Sequence, residues 1–536
     1  MHFLKRAWAL TGISLLVYIG YGLYLGRYVP ERSDAYLWAV YHVHSALSDG
    51  LLPPQEIAEA ARQANVGLVL LTDHGKPHFE ASTYRAKLGG VEMVGGSEVA
   101  MVDGHLTFFG ANRVPLFKLP PHPPDAVADI NEWGGYSVIA YPADPDLAWS
   151  YWDTDFRPSG IEVMNMSSML KRAGVLRWTL LFLYLPFSKS YFLTAMTNPS
   201  EALSHWDDLL QRTAVSGFVA VNAHGGFQLL RTLEVPVPSY LTLFDSLALG
   251  IDRRYQEEPL QAIRQGDFFC LVRAAGEPQN FEFTAQAGGR SHRSGSLLRQ
   301  EARLRVSVGT IAQKVRVVLK KDGMVVAEVL DEPLEFNLAG SGTYRAEVYL
   351  VEHPLLSSEV PWILSNPIFI QPSGLSDPEE QVPEEWAPYP MDLSTFRVEK
   401  DSASVASLNP SGSGVRLSYT LSQFVSDGEN KWCALAKRDR LDLSAYSGFY
   451  IRAASDKYLR YFVELRSGDR WHYASFKLHP GRENLRRIPF KEFYRVGHSR
   501  EEMPLSEIDS MFISGSNYTS RTGFSSELEI KEMGFY

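Results

Sequence analysis

Histidine and carboxylate residues follow short apolar stretches at several points in the first half of the chain. His42 and His44 end the apolar stretch 37–41, and Asp49 follows in a Ser-Asp-Gly sequence that favours a turn. Residues i and i+2 of a strand point to the same face, so the two imidazoles can reach a single cation. We therefore expect a metal site here. The other residues of this kind, each beside a further apolar stretch, are His74, Glu98, His105 and His224.

The apolar stretches beside these residues are predicted strands, and amphipathic helices separate them. One helix begins at Pro53 and Pro54 and ends before Gly67, which is a proline start and a glycine stop. Alternating strands and helices predict an α/β fold with a mainly parallel sheet, whose strand ends gather polar residues at one edge. The further predicted strands are 68–71, 92–94, 105–109, 136–140, 161–164 and 218–221, and the further helices are 125–133 and 199–211.

Short motifs between residues 41 and 226 carry these candidate ligands. They are His42-Val43-His44-Ser45, Ser48-Asp49-Gly50, Thr72-Asp73-His74, Gly96-Ser97-Glu98, Gly160-Ile161-Glu162-Val163 and Asn222-Ala223-His224. Together they resemble the PHP (polymerase and histidinol phosphatase) superfamily, and most of all its small bacterial phosphoesterases of nucleoside phosphates and short oligonucleotides. The resemblance implies a distorted (β/α)7 barrel that holds two or three divalent ions of zinc, manganese or iron. It also implies hydrolysis of a phosphomonoester or short phosphodiester by metal-activated water.

The resemblance distributes the candidate ligands over three metal positions. Glu98 bridges the first two positions, and Asn222 stands where the family has an aspartate of the first position. The first position takes His42, His44 and Glu98, the second takes Glu98 and His105, and the third takes Asp49, His74 and His224.

Further polar residues near these motifs are candidates for catalysis. Asp73 either orients a ligand imidazole or forms the turn that follows its strand. Lys76 and Arg172, and Lys171 beside the latter, are candidates to neutralise a substrate phosphate. The alternative for each of these cations is a solvated surface position.

Two residues depart from the family pattern. Tyr141 occupies the place of a histidine in an Ala-His-Pro sequence, and Asn222 occupies the place of an aspartate. A phenol that titrates near 10 is a weaker ligand than imidazole, and a carboxamide carries no charge. These exchanges leave open a centre with fewer metals, a centre for another metal, or a metal-binding sensor without catalysis.

The N-terminus predicts a membrane anchor. Lys5 and Arg6 precede the uncharged run 7–26, which Arg27 ends, and no small-residue cleavage site follows. We expect an uncleaved single-pass anchor over residues 1–27, with the catalytic domain outside the cytoplasm. A second apolar segment, 176–187, is either a buried helix or an interfacial patch that contacts lipid.

Composition and pattern set the remaining domains. The net charge of -10 over 536 residues argues against binding of large nucleic acids, and Cys270 and Cys433 are too few for a disulfide framework or a thiolate zinc site. A PHP domain over 37–289 is expected to precede an Ig-like β-sandwich over 290–371, a Pro- and acid-rich linker over 372–390 and a jelly roll over 391–536. The jelly roll resembles galactose-binding-like carbohydrate-binding domains, in which Trp432, Trp471 and Tyr473 would stack on sugar rings. An envelope carbohydrate-binding protein is thus a further alternative.

Overall fold

The computed structural model describes most of the chain. The predicted linker falls largely in the gap at 371–388, and Lys76 falls in the gap at 76–78, so both lie outside the described residues. The described residues are 2–75, 79–113, 119–153, 156–184, 187, 189–230, 233–235, 238–309, 313–370, 389–422, 431–478, 480, 483–495, 502–517 and 523–536.

Helices are few and mostly short in the part of the chain that the structure describes. The predicted proline start is present, because Pro54 opens a helix whose Ile57, Ala58 and Ala61 are buried. The α-helices are α1 His2–Leu25, α2 Pro54–Gln63, α3 Pro123–Glu132, α4 Met166–Lys171, α5 Gly174–Tyr184, α6 Ser200–Leu210, α7 Tyr240–Phe244 and α8 Pro259–Gln265.

Strands dominate the first compact unit, which comprises Met1–Val99, Gly104–Asn112 and Gly135–Ser376. Many are buried along their whole length, as apolar runs covered on both faces are. The strands are β1 Tyr36–Val43, β2 Val66–Leu71, β3 Arg85–Leu88, β4 Val91–Val94, β5 Gly96–Met101, β6 Gly104–Phe109, β7 Tyr136–Ala140, β8 Gly160–Asn165, β9 Ser216–Ala220, β10 Phe227–Leu230, β11 Leu233–Val235, β12 Ala248–Asp252, β13 Phe268–Leu271, β14 Asn280–Ala287, β15 Arg290–Arg293, β16 Leu297–Leu298, β17 Ala302–Gly309, β18 Val315–Lys321, β19 Met324–Leu330, β20 Leu334–Ala339, β21 Gly342–Leu350, β22 Ile363–Ser365 and β23 Ile368–Ile370.

The sheets of this unit are mixed. β1, β2 and β4 pair in parallel, and so do β7, β8 and β9, but β6 pairs with β7 and β12 pairs with β1 in the antiparallel sense. The expectation of a mainly parallel sheet is therefore only partly met. One reason is that a connection as short as the two residues between β3 and β4 can join only antiparallel strands.

The middle β-rich region is continuous with the first sheet. β13 pairs with β22, and β21 pairs with β22 and β18, so one sheet of twelve strands runs from β3 to β16. The predicted hairpin at Lys321-Asp322-Gly323 joins β18 to β19, with φ of 50° at Asp322 and 81° at Gly323. β14, β15, β17 and β20 form a second, four-stranded sheet.

The second compact unit is a β-sandwich with α3 attached, and comprises Ala100–Asp103, Arg113–Gly134 and Asp377–Tyr536. Two six-stranded sheets enclose an apolar core that includes Leu417, Val463, Ile513 and Ile530. α3 is fixed by Asp129, whose buried carboxylate pairs with Arg460 and Lys477. The strands are β24 Tyr389–Pro390, β25 Arg397–Lys400, β26 Val405–Ser411, β27 Gly414–Leu421, β28 Lys431–Lys437, β29 Gly448–Ser455, β30 Leu459–Ser467, β31 Arg470–Leu478, β32 Asn484–Pro489, β33 Tyr494–Arg495, β34 Ser510–Asn517 and β35 Phe524–Phe535.

The N-terminal helix differs from its prediction. Within the described residues, no helix combines the length and the apolar character that crossing a membrane requires. This contradicts the single-pass anchor over residues 1–27 and the membrane location that followed from it. α1 instead makes protein contacts, since Tyr18 donates a hydrogen bond to the Leu183 carbonyl and packs on the rings of Tyr184 and Phe187. These contacts lie at the end of segment 176–187, the second candidate for lipid contact.

Candidate metal centre

The end of β1 places two histidines in the interior. His42 and His44 are both fully buried, and their ring centroids lie 5.2 Å apart. His42 has a φ of 68°, and the pairing of β1 with β2 shifts register between Tyr41 and Val43. The regular alternation that motivated the pairing of these imidazoles is thus broken at His42. The local twist brings the two rings together instead.

Neighbouring strands hold this end of β1 in position. The His42 carbonyl accepts the Ala223 N–H at 3.0 Å, and the His44 N–H donates to the Ala223 carbonyl at 2.9 Å. On the other side, the Thr72 N–H donates to the Val43 carbonyl at 2.8 Å. These backbone hydrogen bonds hold together the ends of β1 and β2 and the segment after β9. They also satisfy the N–H and C=O groups that are buried there.

Glu98 joins three of the predicted histidines. Its Oε2 lies 3.0 Å from His42 Nε2 and 3.2 Å from His44 Nε2, while its Oε1 lies 2.6 Å from His105 Nδ1. The side chain is almost fully buried. Burial alone would raise the pKa of Glu98, but the surrounding histidines outweigh it and hold that pKa well below its ordinary value. The residue is a carboxylate that several imidazoles share.

Glu162 lies behind His42 and was not among the predicted site residues. Its Oε1 is 2.5 Å from His42 Nδ1, and its Oε2 accepts the Tyr141 N–H and the Asn165 side-chain amide. Burial would lower the pKa of His42, but the carboxylates of Glu162 and Glu98 raise it to about 10. The signal in the sequence was a lone carboxylate inside an apolar strand, which burial makes costly unless it has such a partner.

A second group of ligand-type residues surrounds Asp49. Its Oδ1 lies 3.3 Å from His44 Nδ1, and its Oδ2 lies 3.4 Å from His74 Nε2 and 3.5 Å from His224 Nε2. The rings of His44 and His224 stack at 4.1 Å. The turn can form only with glycine at position 50, because a Cβ there would lie 2.3 Å from the His44 carbonyl oxygen.

These residues form two groups that fit a metal ion. Within each group the ligand atoms lie within 4.8 Å of one another. Both ring nitrogens of His44 and the Oδ1 of Asn222 are buried without a hydrogen-bond partner. A buried polar atom without a hydrogen-bond partner costs folding free energy. The His44 nitrogens point at the carboxylates of Asp49 and Glu98 without forming hydrogen bonds, as ligands arranged around a shared cation do. The groups are His42, His44 and Glu98, and His44, Asp49, His74 and His224.

The two residues that depart from the family pattern face this centre. Tyr141 Oη lies 3.2 Å from His42 Nε2, and burial followed by the nearby Glu98 and Glu162 charges raises the pKa of the phenol. Tyr141 and Asn222 have φ values of 54° and 48°. A non-glycine residue with a positive φ has a strained backbone, and such strain concentrates where a side chain must be aimed at a site.

The other candidate catalytic residues have protein partners. Asp73 accepts the Ser45 N–H at 2.7 Å and the hydroxyls of Ser45 and Ser48, so its contacts are with the turn that carries Asp49. Arg172 donates to the Ala143 carbonyl and to Glu201 Oε2. Lys76 lies outside the described residues.

The C-terminal β-sandwich contains a separate aromatic cleft of about 690 Å³. The predicted stacking residues Trp432, Trp471 and Tyr473 all line it. Arg466 covers one ring, because its guanidinium carbon lies 3.7 Å from the Trp471 ring centroid. Trp471 nevertheless remains 44% exposed, which leaves part of its surface for a ligand.

Comparisons with known proteins give distant similarities only. No protein-family model matches the chain, and no curated protein matches its sequence. A solved two-domain protein from Bacteroides vulgatus, which contains a predicted PHP-like metal-dependent phosphoesterase, aligns at 14% identity with a TM-score of 0.28. The alignment covers 63% of this chain and 97% of that one. A family 11 carbohydrate-binding module from Clostridium thermocellum aligns at 15% identity with a TM-score of 0.22, over 27% of this chain and 93% of that one.

Proposed function

We propose that the protein is a metal-dependent hydrolase of phosphate esters. The observation that carries this proposal is the pair of ligand groups that share His44, with both ring nitrogens of that residue buried and unpaired. A set of histidines and carboxylates without thiolates suits zinc, manganese or iron. The pairings of β1 with β2, of β6 to β9 in sequence, and of β1 with the segment after β9 support a PHP-type barrel around this centre.

The ligand roles follow the two groups. His42, His44 and Glu98 would hold one ion, and Asp49, His74 and His224 another, with His105 and the Asn222 carboxamide at the margin of the first. A bound divalent ion supplies a water of lowered pKa and positive charge against the phosphate oxygens. Glu162 orients the His42 ring through Nδ1, as partners behind metal ligands commonly do. Asp73 holds the turn that presents Asp49.

Tyr141 is the departure with the clearest chemical consequence. Its buried hydroxyl stays protonated, since its pKa is raised, and it is therefore a hydrogen-bond donor beside His42. A donor at this position can orient a phosphate oxygen. Tyrosine in place of histidine at position 141 thus favours a centre that holds fewer metals and still hydrolyses phosphate esters.

The test uses the full chain purified without chelator. We expect at least one bound metal per chain by mass spectrometry, together with release of p-nitrophenol from mono- or bis-p-nitrophenyl phosphate. His42→Ala/His44→Ala should lose metal and at least about 100-fold in turnover. A matched control, His205→Ala/His292→Ala, removes two histidines outside the ligand groups and should change neither quantity. Metal binding without turnover would instead support a sensor, and absence of bound metal would refute the proposal.

A second candidate function belongs to the C-terminal β-sandwich. The cleft that Trp432, Trp471 and Tyr473 line favours binding of a glycan, because aromatic rings that are exposed, like that of Trp471, or half-buried, like the other two, can stack on the apolar faces of sugar rings. Trp432→Ala is expected to weaken binding to soluble glucans at least about tenfold in affinity electrophoresis, the loss of one stacked ring. Trp8→Ala in α1 provides a control, and equal migration of the Trp432 variant and the wild type would contradict this candidate.

A further inference from the structure

A third group of ligand-type residues lies in the second compact unit and shares no residue with the metal centre. It consists of His122 and Asp125 at the start of α3 and of Glu492 at the end of the short 3-10 helix Phe490–Glu492. All three belong to the same unit. One ligand atom of each lies within 4.8 Å of those of the other two. Two segments far apart in the chain thus bring an imidazole and two carboxylates together.

The imidazole of His122 is placed for a role other than capping the helix. His122 is the N-cap residue of α3, but among the described residues its side chain accepts no capping hydrogen bond. Pro123 and Pro124 follow it and have no N–H, so this helix start needs fewer acceptors. The residue is 7% exposed, and its Nδ1 lies 3.3 Å from Asp125 Oδ2. A buried imidazole is therefore directed towards a carboxylate.

Both elements that carry these residues are fixed within the unit. α3 is held by the buried pair between Asp129 and Arg460. The 3-10 helix is held at its start, where the Phe490 N–H donates to the Ser447 carbonyl at 2.9 Å, and at its end, where Tyr494 is buried. Because the backbone on either side is already in place, binding an ion would require little ordering of the chain.

The charges and donor atoms of the group suit zinc. Two carboxylates balance the charge of a divalent cation. The start of α3 contributes a partial positive charge of about half an elementary charge, which the two carboxylates outweigh. An imidazole nitrogen beside carboxylate oxygens is a zinc ligand set, whereas calcium takes oxygen ligands. The Asp125 side chain is 44% exposed, so the group is open to an entering ion and to a water ligand.

We propose that His122, Asp125 and Glu492 bind a zinc ion that joins α3 to the β-sandwich of the second unit. Each residue supplies one donor atom, and water occupies the fourth position of the tetrahedron. The ion connects the start of the helix to a segment near the C-terminus, so it acts as a cross-link that stabilises the attachment of α3. This site is independent of the proposed hydrolase function.

The number of bound zinc ions tests the assignment. The full chain is stripped with a chelator, reloaded with zinc and analysed by mass spectrometry. We expect the wild type to bind one zinc ion per chain more than His122→Gln and Glu492→Gln do. Glu492 is half-buried, so its variant keeps the test valid if replacement of the buried His122 impairs folding. Glu507→Gln, which changes the carboxylate at the end of another 3-10 helix of this unit, should bind as many ions as the wild type.

Hydrogen exchange locates the ion in the chain. Zinc should slow exchange of the backbone amides in 122–128 and 490–494 at least about tenfold in the wild type, and should have no such effect there in Glu492→Gln. Equal zinc counts in the wild type and both variants, or exchange in these segments that zinc does not slow, would overturn the site. Slowing by calcium but not by zinc would overturn the identity of the ion, and loss of zinc from Glu507→Gln as well would show that the carboxylates of this unit bind it without specificity.

Discussion

At the residue scale, the centre depends on how a few carboxylates are shared. Glu98 faces three imidazoles, and Glu162 holds His42 from the opposite side. An ionised carboxylate is stable in the interior only with such partners. Asn222 is the exception, because its buried Oδ1 has no partner where a charged group would be expected.

Asn222→Asp is predicted to strengthen metal binding. The new carboxylate adds a negative charge beside Tyr141, which contacts His42, and ionised oxygens bind divalent cations more strongly than carboxamides do. We expect the affinity for zinc or manganese to rise at least about tenfold, or the number of bound ions to increase. Competition with a fluorescent chelator measures the first quantity and mass spectrometry the second. Asn131→Asp, which adds the same charge at an exposed position of α3, is the control, and equal behaviour of the two variants would exclude a ligand role for Asn222.

At the element scale, α6 and β21 are joined by a buried ion network. Arg345 of β21 pairs with Asp207 of α6 at 2.8 Å and also contacts Glu347, and its side chain is only 2% exposed. Burial lowers the pKa of the arginine, but the two carboxylates outweigh burial and raise it. Since α6 also carries Glu201, the partner of Arg172, this network links the middle β-rich region to the segment that follows β8.

Arg345→Met is predicted to destabilise the first unit by about 3 kcal/mol, because it leaves the largely buried Asp207 without its cation and the buried Glu347 with Lys320 alone. The midpoint of urea unfolding, followed by tryptophan fluorescence, measures the loss. Arg303→Met removes an exposed partner of Glu335 and should cost at most about 1 kcal/mol. If both variants unfolded at the same urea concentration, the network would contribute nothing specific to stability.

At the scale of the whole molecule, the chain forms two compact units, and the segment after α1 is fixed to the first of them. His353 Nδ1 accepts the N–H groups of Leu355 and Leu356, so the ring proton lies on Nε2, 2.9 Å from Tyr28 Oη. Burial lowers the pKa of His353 to about 4. A proton on Nδ1 would face the N–H donors of Leu355 and Leu356, which also favours the neutral ring and a lowered pKa.

This histidine predicts a loss of stability in mild acid. The unfolded chain takes up a proton near pH 6.5, whereas the folded state resists it until about pH 4, so stability is full above pH 6.5 and falls as the pH drops towards 4. The loss from this group is on the order of 3 kcal/mol. Urea unfolding of the wild type and of His353→Gln at pH 7 and pH 4.5 measures it. The variant should show the smaller difference between the two pH values, and an equal difference would refute the assignment.

The sequence by itself determined which residues converge at the centre and which strands carry them. Burial of the apolar stretches places the strand ends together, and the ligand-type residues follow those stretches, except His105, which opens its strand: they are His42, His44, Asp49, His74, Glu98, His105 and His224. The strands and helices predicted there are present within a few residues, because periodicity and proline or glycine signals are local properties of the chain.

Only the tertiary structure decided the contacts made over long separations. The role of Glu162, the neutralisation of Lys171 and Arg172, the continuity of the middle region with the first sheet and the packing of α1 on Tyr184 all join residues far apart in the chain. A local pattern specifies that a side chain is charged or apolar, but the partner that stabilises it is chosen by the packing of other elements. For that reason the sequence identified the candidate ligands, while the carboxylate partners of Lys171 and Arg172 became known only from the fold.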